Sequence, residues 1–573
     1  MASRKKMTAG LGITLLAVLL ASLTAGAAGA GPVSSLALPR EQTLYVSGSA
    51  WGPYTSFNPI RANYATGVVG LLYEPLFRYD PLKDRFIPWL ATNARWQGNT
   101  HVVTLRNGVT WNDGKPFTAA DVKFTFETQK ATGAQFGTMW KTGLQRISTA
   151  GNQVRFHFRG TPNYQEWDSN MYSIPMVPQH IWSGYSAKEI VSGNTDDVKK
   201  MVGTGPFTYG AGKGSSQTLQ WNRRDGWWAT SALGKRMPMR YVVDIHNTSN
   251  TASLQNFLQN KIDLSNNFFP GIDKLIKGKV QTYYAKAPYM LAANTAWLVP
   301  NLTKAPLNDR AFRRALAFSV DVNRIVKDDY GNIVSKANPT GLLPTWGKWV
   351  NQPLVRTLGF SYNVNRAKSI LAAAGYRDRN GDGFVEGKNG EAINLRLIVP
   401  NGWSDWQTAI QMIAASTKNA GIRITPAYPD FNSLVNERNS GKFDLVINNE
   451  RQIGNTPYTY YDYLFRLPIQ KQQTVVNFSR YSNPRAWDLT TQLNKVKTTE
   501  VAKAKRIHTQ LQRIILEDLP AIPLWYNGMW AQYNTSVWTN FPRSTGPQAT
   551  PSTWNGYLNM TGVDALAALK PAK

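Results

Sequence analysis

The spacing of apolar residues changes twice over a short stretch in the second half of the chain. Leu395 to Val399 is a nearly continuous apolar run, which predicts a buried strand. After a loop at 400–404, the stretch from Asp405 to Ala420 has apolar residues at helical spacing, and Gly421 supplies a stop. Ile422 to Thr425 then predicts a second strand. This order of elements predicts a parallel β-α-β unit and a mixed α/β fold.

Strands and turns dominate the prediction for the N-terminal part of the chain. Thr43 to Val46 predicts a first strand, and a glycine-containing loop follows it at 48–53. Between Arg95 and Arg106, two short strands flank a turn at 98–99. The segment 203–207 contains two glycines and a proline, so it predicts a break between structural units.

Long helices are predicted in the C-terminal half. Asn308 or Asp309 can cap a helix that continues to Val320, and a second helix with both caps visible spans 363–375. A third helix, 500–517, carries one apolar face and leads into a strand at 519–526 that contains two prolines.

Aromatic residues follow the first strand of the β-α-β unit. Ligands of parallel sheets lie beyond the carboxyl ends of the strands, where Trp403, Ser404 and Trp406 are expected. The chain has 20 Trp, 25 Tyr and 22 Phe, enough to supply rings to a cleft as well as to the cores. Trp525, in the proline-containing strand, is a further candidate. The structural alternative is that one of the paired tryptophans is buried beneath the helix.

Length and charge narrow the classes of function. A chain of 573 residues exceeds one ordinary core and predicts two or three lobes. The formal net charge is +29, but Lys and Arg are scattered in ones and twos and form no basic helix or arm. We therefore expect no nucleic-acid partner, and the charge fits an anionic surface or an acidic medium.

Residues 1–30 have the pattern of a signal peptide. Basic residues at positions 4–6 precede an apolar run from Leu11 to Leu23, and small residues follow it. The run is shorter than the roughly 20 residues that a membrane span needs. We expect an exported protein of the periplasm or cell exterior. Because the chain contains no cysteine, we expect neither a lipid-modified cysteine anchor nor thiolate chemistry.

One long motif resembles a known family. The segment 105–122 reads LRNGVTWNDGKPFTAADV and is similar to the signature of family 5 extracellular solute-binding proteins, the oligopeptide, dipeptide and nickel binders of ABC importers. Other similar segments follow in the family's order, and together they cover nearly the whole mature chain. These segments are 72–76, 203–207, 308–321, 367–375 and 518–523.

The resemblance implies a three-lobed periplasmic-binding-protein fold, in which two α/β lobes close over a ligand and a further lobe is inserted. Lobe I would comprise 38–76, 200–297 and 522–573, lobe II 77–199 and lobe III 298–521. The implied partners are ABC transporter permease subunits with their ATPases, and a small oligomeric ligand. We expect a monomer without a cofactor or catalytic residues.

The ligand is less sharply defined than the family. Peptide binders of this family use an Asp in lobe III to pair with the amino group of the peptide, but the matching stretch here has the neutral Asn448 and Asn449 before Glu450. The segments 48–53, 401–406 and 428–431 are instead similar to the branch that binds cello-oligosaccharides and related β-glucosides. Sugars need flat rings and hydrogen-bonding side chains. An oligosaccharide is therefore expected ahead of an oligopeptide. The predicted ligand-binding residues are Trp51, Trp403, Ser404, Trp406, Asn448, Asn449, Glu450 and Trp525.

Two further possibilities have less support. Asp378, Asn380 and Asp382 begin the pattern of a calcium loop, but Asn389 stands at the twelfth position, where a bidentate Glu is needed, so a plain turn is favoured. A secreted glycoside-cleaving enzyme is the alternative from another class. The five His are far apart and form no metal motif, whereas carboxylate pairs for glycoside hydrolysis assemble from distant segments.

Overall fold

The computed structural model describes residues 38–48, 56–60, 64–132, 137–192, 200–212, 217–247, 249–449, 453–551 and 561–572. The predicted signal peptide, Trp51 and Glu450 lie outside these ranges. Arg40–Lys573 form one unit. Within its described residues, the strands form three larger sheets and two short pairs, which are Phe77–Asp80 with Arg85–Pro88 and Trp538–Thr539 with Lys570–Pro571.

The first sheet is built around a strand that is buried along almost its whole length. Thr43–Ser47 pairs in parallel with Tyr241–Ile245 on one side and with Leu264–Ser265 on the other. This confirms the first predicted strand, whose apolar character follows from burial on both faces. The order in the sheet is Val280–Thr282, Gln532–Asn534, Leu264–Ser265, Thr43–Ser47, Tyr241–Ile245, Thr218–Arg223 and Phe207–Ala211.

The second sheet contains the predicted β-α-β unit. Leu395–Ile398 and Ile424–Ala427 pair in parallel, and the helix Ser404–Lys418 connects them. The second strand begins two residues later than predicted, because the amide of Ile422 is still bonded to the carbonyl of Thr417 in the helix end. The order in the sheet is Ser335–Lys336, Ile522–Met529, Leu291–Pro300, Leu445–Asn448, Leu395–Ile398 and Ile424–Ala427.

The third sheet is antiparallel and contains the predicted hairpin. Its turn is at Gly98, whose φ of 58° is in the left-handed region that glycine tolerates best. The four strands are, in spatial order, Ala91–Gln97, Thr100–Leu105, Gln153–Phe158 and Leu144–Ala150.

The predicted helix caps are present. The side chain of Asp309 accepts a hydrogen bond from the amide of Ala311, and that of Asn363 accepts one from Arg366. The α-helices of the described chain are Ala119–Thr132, Thr138–Thr142, Tyr164–Ser173, Gln179–Trp182, Ala187–Ser192, Trp228–Leu233, Asn250–Leu258, Ile272–Leu275, Arg310–Ser319, Val322–Arg324, Gln352–Leu358, Val364–Ala373, Ser404–Lys418, Phe431–Ser440, Tyr458–Phe465, Pro484–Asn494, Val501–Asp518 and Gly562–Ala568. Short 3₁₀-helices occur at Arg40–Gln42 and Pro344–Trp349, and a π-helical turn occurs at Ile325–Asp329.

The second sheet separates two hydrophobic cores. Along the strand Leu445–Asn448, Leu445 and Ile447 belong to one core and Val446 to the other. This is the alternation expected of a strand that is covered on both faces. Because the period is two, neighbouring residues of this strand point to opposite sides of the sheet.

The strands of the three sheets can be compared with the residue ranges predicted for the lobes. Every strand of the first sheet lies in the ranges predicted for lobe I, and every strand of the third sheet lies in the range predicted for lobe II. Leu291–Pro300 crosses the predicted boundary at 298, whereas its partner in the second sheet, Ile522–Met529, begins at the boundary at 522 and lies within the range of lobe I. The partition into lobes stays a prediction.

The backbone of the segment 203–207 lies against the backbone of Leu71 and Leu72. The amide of Gly205 donates to the carbonyl of Leu72 at 2.8 Å, and that of Phe207 donates to Leu71 at 3.0 Å. A Cβ atom added at Gly205 would overlap the carbonyl oxygen of Leu71. The glycines that predicted a break between structural units are therefore required by this close backbone contact.

Replacing Gly205 with Ala should destabilise the protein by about 1–3 kcal/mol, because the added methyl group collides with backbone that cannot rotate away. Thermal unfolding of Gly205→Ala measures this effect. Gly226→Ala is the matched control, since a Cβ atom there has no neighbour within 4 Å. Equal melting temperatures of the two variants would contradict the close contact at Gly205.

Candidate ligand-binding cleft

The base of a cleft is formed by two paired strands of the second sheet. Asn294 in Leu291–Pro300 lies directly opposite Asn527 in Ile522–Met529, and the register shifts between Ala292 and Asn294. Such bulges re-aim side chains and are common next to functional sites. Oδ1 of Asn527 is buried and has no hydrogen-bond donor in the described part of the chain.

One wall of the cleft lies at the carboxyl ends of two parallel strands of the first sheet. Gly48 follows Thr43–Ser47, and Asn266, Asn267 and Phe268 follow Leu264–Ser265. Gly48 has a φ of 103°, and a Cβ atom there would overlap the backbone of Asn266. The glycine therefore allows the two strand ends to lie against each other.

The amide of Asn267 is oriented by its serine neighbours. Its Oδ1 accepts hydrogen bonds from Oγ of Ser253 at 2.7 Å and from Oγ of Ser47 at 3.3 Å. Its Nδ2 is buried and has no acceptor among the described residues. A buried amide donor without a partner costs free energy, which a bound ligand can recover.

The opposite wall is the loop and helix of the β-α-β unit. The rings of Trp403 and Trp406 meet edge to face, with centroids 4.8 Å apart. On its other side, Trp403 stacks on Phe431 with centroids 6.1 Å apart and an interplanar angle of 27°. Trp406 is buried, whereas Trp403 is partly exposed. Part of the Trp403 ring is therefore exposed at the cleft.

A single carboxyl group lies among the described lining residues. Oδ1 of Asp405 accepts a hydrogen bond from Nδ2 of Asn250, and Oδ2 accepts one from the hydroxyl of Tyr330, both at 3.3 Å. Burial raises the pKa of Asp405 to about 6, against the lowering effect of these bonds and of nearby backbone amides. Burial also raises the pKa of neighbouring Asp329 to about 8, with a further contribution from the charge of Asp405.

Aromatic rings stacked behind the cleft hold its lining in place. Trp530 packs against Phe268 at 5.4 Å and lies parallel to the ring of Tyr330 at 6.2 Å. Trp525 is fully buried and contacts Tyr330 at 5.3 Å between centroids. Trp525 therefore lies one layer behind the described lining.

The cleft has a volume of about 300 Å³ and an amide-rich lining with one carboxyl group among the described residues. Six of its described lining residues are asparagines, and none is Lys or Arg. The described lining consists of Gly48, Asn250, Asn266, Asn267, Phe268, Asn294, Trp403, Asp405, Trp406, Phe431, Asn449, Asn527, Gly528 and Trp530.

A larger cavity borders the cleft at Gly528. It has a volume of about 610 Å³ and is mostly apolar, with Tyr284, Met290, Val334 and Tyr526 among its walls. Both volumes are in the range of ligand sites in proteins. Space for an elongated ligand therefore extends beyond the cleft itself.

The structure separates the predicted site residues into groups. Trp403, Trp406 and Asn449 line the cleft, and the hydroxyl of Ser404 at its edge accepts a hydrogen bond from Asn250 at 3.3 Å. Asn448 points elsewhere: its Oδ1 accepts from Arg438 at 3.0 Å, and its Nδ2 donates to Tyr463 at 2.7 Å. Strand alternation accounts for this, because Asn448 shares the face of Val446. Trp51 and Glu450 lie outside the described residues.

Most of the amides in the lining were not predicted. Their sequence signal was weak, because they lie in separate strands, loops and helix ends between positions 250 and 527. Asn266 and Asn267 had the best signal, being paired amides at a strand end like Asn448 and Asn449. The lining residues that were not predicted to bind the ligand were Gly48, Asn250, Asn266, Asn267, Phe268, Asn294, Asp405, Phe431, Asn527, Gly528 and Trp530.

The predicted calcium-loop residues have the bonding of a turn. Asp378 accepts from the amides of Gly381 and Gly383, and the side chain of Asn380 accepts from the amide of Asp382. Asp382 also pairs with Arg423 at 2.6 Å. Carboxyl oxygens of Asp378, Asp382 and Glu386 lie within 4.8 Å of one another, but the turn and the ion pair account for the contacts of the first two.

Comparison with known proteins identifies the family. The model of bacterial extracellular solute-binding proteins, family 5, matches residues 85–471. The chain belongs to this family. As a family 5 protein, it is the substrate-binding subunit of an ABC importer and works with permeases and ATPases. The expectation of a binding protein that is not an enzyme is confirmed.

Relatives resemble this family 5 protein over most of their length. A periplasmic oligopeptide-binding protein of an ABC transporter from Thermotoga maritima, solved with mannohexaose bound, is 37% identical, with a TM-score of 0.86 over 93% of this chain and 99% of that chain. The oligopeptide-binding protein AppA of Bacillus subtilis is 23% identical, over 91% of this chain and 94% of its own. NikZ of Campylobacter jejuni in complex with Ni(L-His) is 18% identical, with a TM-score of 0.74 over 91% of this chain and 100% of its own, and shows the shared fold.

The relatives are periplasmic or extracellular binding proteins. Among the described residues, no helix combines the length and apolar character needed to cross a bilayer. The periplasmic-binding-protein fold expected from the motif at 105–122 is confirmed by these structures.

The buried carboxyl of Asp329 makes stability depend on pH. Because its pKa is raised in the folded state, the folded protein binds more protons than the unfolded chain between about pH 4 and pH 8. Its effect on folding is therefore neutral at low pH and increasingly unfavourable as pH rises through this window.

We expect Asp329→Asn to reduce the loss of melting temperature between pH 4.5 and pH 8, since an amide carries no charge to bury. Thermal unfolding across this range measures the slope. The exposed neighbour Asp328, which pairs with Arg324 at 3.1 Å, gives the control Asp328→Asn. Identical slopes for the wild type and Asp329→Asn would show that Asp329 is ionised at little cost.

Proposed function

We propose that the cleft binds a neutral oligosaccharide of the cello-oligosaccharide or β-glucoside type and presents it to the ABC importer. The observation that carries this proposal is the lining of the cleft, which combines aromatic rings with six asparagines and has no Lys or Arg among the described residues. The proposed contacts are Trp403, Trp406 and Asn449, together with Asn267 and Asn527.

The lining matches the two kinds of surface on a sugar. Pyranose rings have apolar C–H faces, which stack on aromatic side chains such as Trp403. Their hydroxyl groups both donate and accept hydrogen bonds, and amide side chains offer both functions. Nδ2 of Asn267 can donate a hydrogen bond, and Oδ1 of Asn527 can accept one. Neither atom has a hydrogen-bond partner among the described residues.

The charge of the cleft favours a neutral ligand over a peptide. A free peptide has an ammonium end and a carboxylate end, and each needs an opposite charge when it leaves water. The chain carries a formal charge of +29, but none of its cations is among the described lining residues. Within the cleft the carboxylate end would have no cationic partner, and in the described lining of the bordering cavity it could pair with Lys286 alone.

The relatives support both kinds of cargo. The Thermotoga maritima protein, at 37% identity, has mannohexaose bound although its name refers to oligopeptides. An oligopeptide remains the second candidate, because AppA of Bacillus subtilis is an oligopeptide-binding protein and because Asp405 could receive an ammonium group. Asp405 already accepts bonds from Asn250 and Tyr330, which favours the sugar.

Export and closure complete the proposed mode of action. We infer that residues 1–30 direct export and that the mature protein acts as a monomer. Lobes I and III, with the boundaries given above, would close over the ligand, since hinge closure is a common way to enclose a ligand and selects one conformation for recognition. Lobe II would be the inserted unit.

Replacing Trp403 with Ala should weaken oligosaccharide binding by about tenfold or more, which corresponds to ~1.4 kcal/mol. Isothermal titration calorimetry with cellohexaose and with mannohexaose measures the change. Trp487→Ala is the control, because this tryptophan is also partly exposed but is not among the residues lining the cleft. Unchanged affinity in Trp403→Ala, or binding of di- to pentapeptides alone, would contradict the proposal.

The cavity beyond Gly528 predicts that ligand length matters. Affinity should increase from a β-linked disaccharide to longer oligomers, because additional sugar units can enter the 610 Å³ space next to the cleft. A calorimetric series from two to six units measures this dependence. A plateau already at the disaccharide would mean that the larger cavity takes no part in binding.

A further inference from the structure

A second pocket lies away from the cleft. Its volume is about 380 Å³, and it shares no described lining residue with the cleft or with the cavity that borders it. Its walls come from strands of the third sheet, the hairpin Phe77–Pro88, the helix Tyr164–Ser173 and the segment 497–499. We call it the Asp168 pocket, after the one carboxyl group among its described lining residues.

Aromatic and apolar side chains form half of the described lining of this pocket, and polar side chains form the other half. The rings of Trp96 and Tyr164 meet edge to face with centroids 4.8 Å apart. Phe77, Phe86, Pro88, Ala94 and Met171 complete the apolar surface, and Phe86 is 38% exposed. The exposed part of the Phe86 ring offers an apolar contact, whose burial by an occupant would be favourable.

Asp168 faces this apolar surface without a partner. No hydrogen bond joins its carboxyl group to another described residue, and no Lys, Arg or His nitrogen of the described chain lies within the 4.0 Å of an ion pair. Asp168 is partly exposed, and burial of the rest of the residue raises its pKa to about 7. A partly buried carboxylate without a cation gains free energy when a cation binds beside it.

The other ionisable groups of the pocket do not supply the missing charge. Nδ1 of His101 accepts a hydrogen bond from the indole of Trp167 at 2.8 Å, and burial lowers the pKa of this histidine to about 3, so it is neutral. The ammonium of Lys497 lies over the ring of Tyr164, 5.2 Å from its centroid. The pocket thus already holds one cation against an aromatic face.

We propose that the Asp168 pocket binds a small organic cation, an ammonium group on an apolar or aromatic body. The ammonium would pair with Asp168, and the body would lie against Trp96, Tyr164 and Phe86. A divalent metal ion fits poorly, since it needs several oxygen ligands and the described lining offers one carboxyl group. This site is independent of the oligosaccharide proposed for the cleft.

Phenethylamine and 2-phenylethanol test the proposal, because they share a phenethyl body and differ in charge. Titration calorimetry at pH 8 should show saturable binding of the amine, with the alcohol at least about tenfold weaker. Asp168→Asn keeps the shape of the side chain and should weaken amine binding by a similar factor. Its melting temperature reports whether it is folded.

Two further variants are informative. One tests whether the amine binds at the cleft instead of the Asp168 pocket, and the other tests whether the side chain of Lys497 fills the Asp168 pocket. Trp403→Ala, which alters the cleft, should leave amine binding unchanged. Lys497→Met should bind the amine at least as tightly as the wild type does. Equal binding of amine and alcohol, unaltered binding in folded Asp168→Asn, or binding that appears only in Lys497→Met would overturn the proposal. The last result would mean that the pocket is filled by its own lysine.

Discussion

The pairing of Leu291–Pro300 with Ile522–Met529 is the constraint on which the cleft depends. More than 200 residues separate these strands along the chain, yet their register sets Asn294 opposite Asn527 at the base of the site. The same pair carries Gly528 between the cleft and the larger cavity, and it leads into Trp530. Both walls are attached to this base, one through the first sheet and one through the β-α-β unit. An error of one residue in this register would turn both amides away from the ligand.

Sequence reasoning was most successful where structure is local. The β-α-β unit, the hairpin at Gly98 and the caps at Asp309 and Asn363 each depend on residues close in sequence, and all are present. Trp403 was found because the loop after a parallel strand has a known role. Asn294 and Asn527 were not predicted, because they come together only through the pairing of strands that are distant in sequence. Asn448 and Asn449 show the limit most clearly, since strand alternation sends neighbouring amides to different surroundings.

The electrostatic properties of the chain and of its cleft differ. The formal charge of +29 would attract anions to the protein over a long range, but the described lining of the cleft contains no cation to retain them. Capture of an uncharged ligand would then rely on short-range contacts and on desolvation. Asp405 in the lining and Asp329 near it add acidic groups, and Tyr330 links Asp405 to the aromatic layer.

Gly528 is the only described residue that lines both the cleft and the larger cavity, and it has no side chain. Its backbone lies against the ring of Trp530, so even a methyl group would press on the aromatic layer. A bulky residue here would act as a partition and divide one elongated chamber into two compartments. If the proposed ligand occupies both spaces, the residue at position 528 would act as a molecular ruler that limits the length of the cargo.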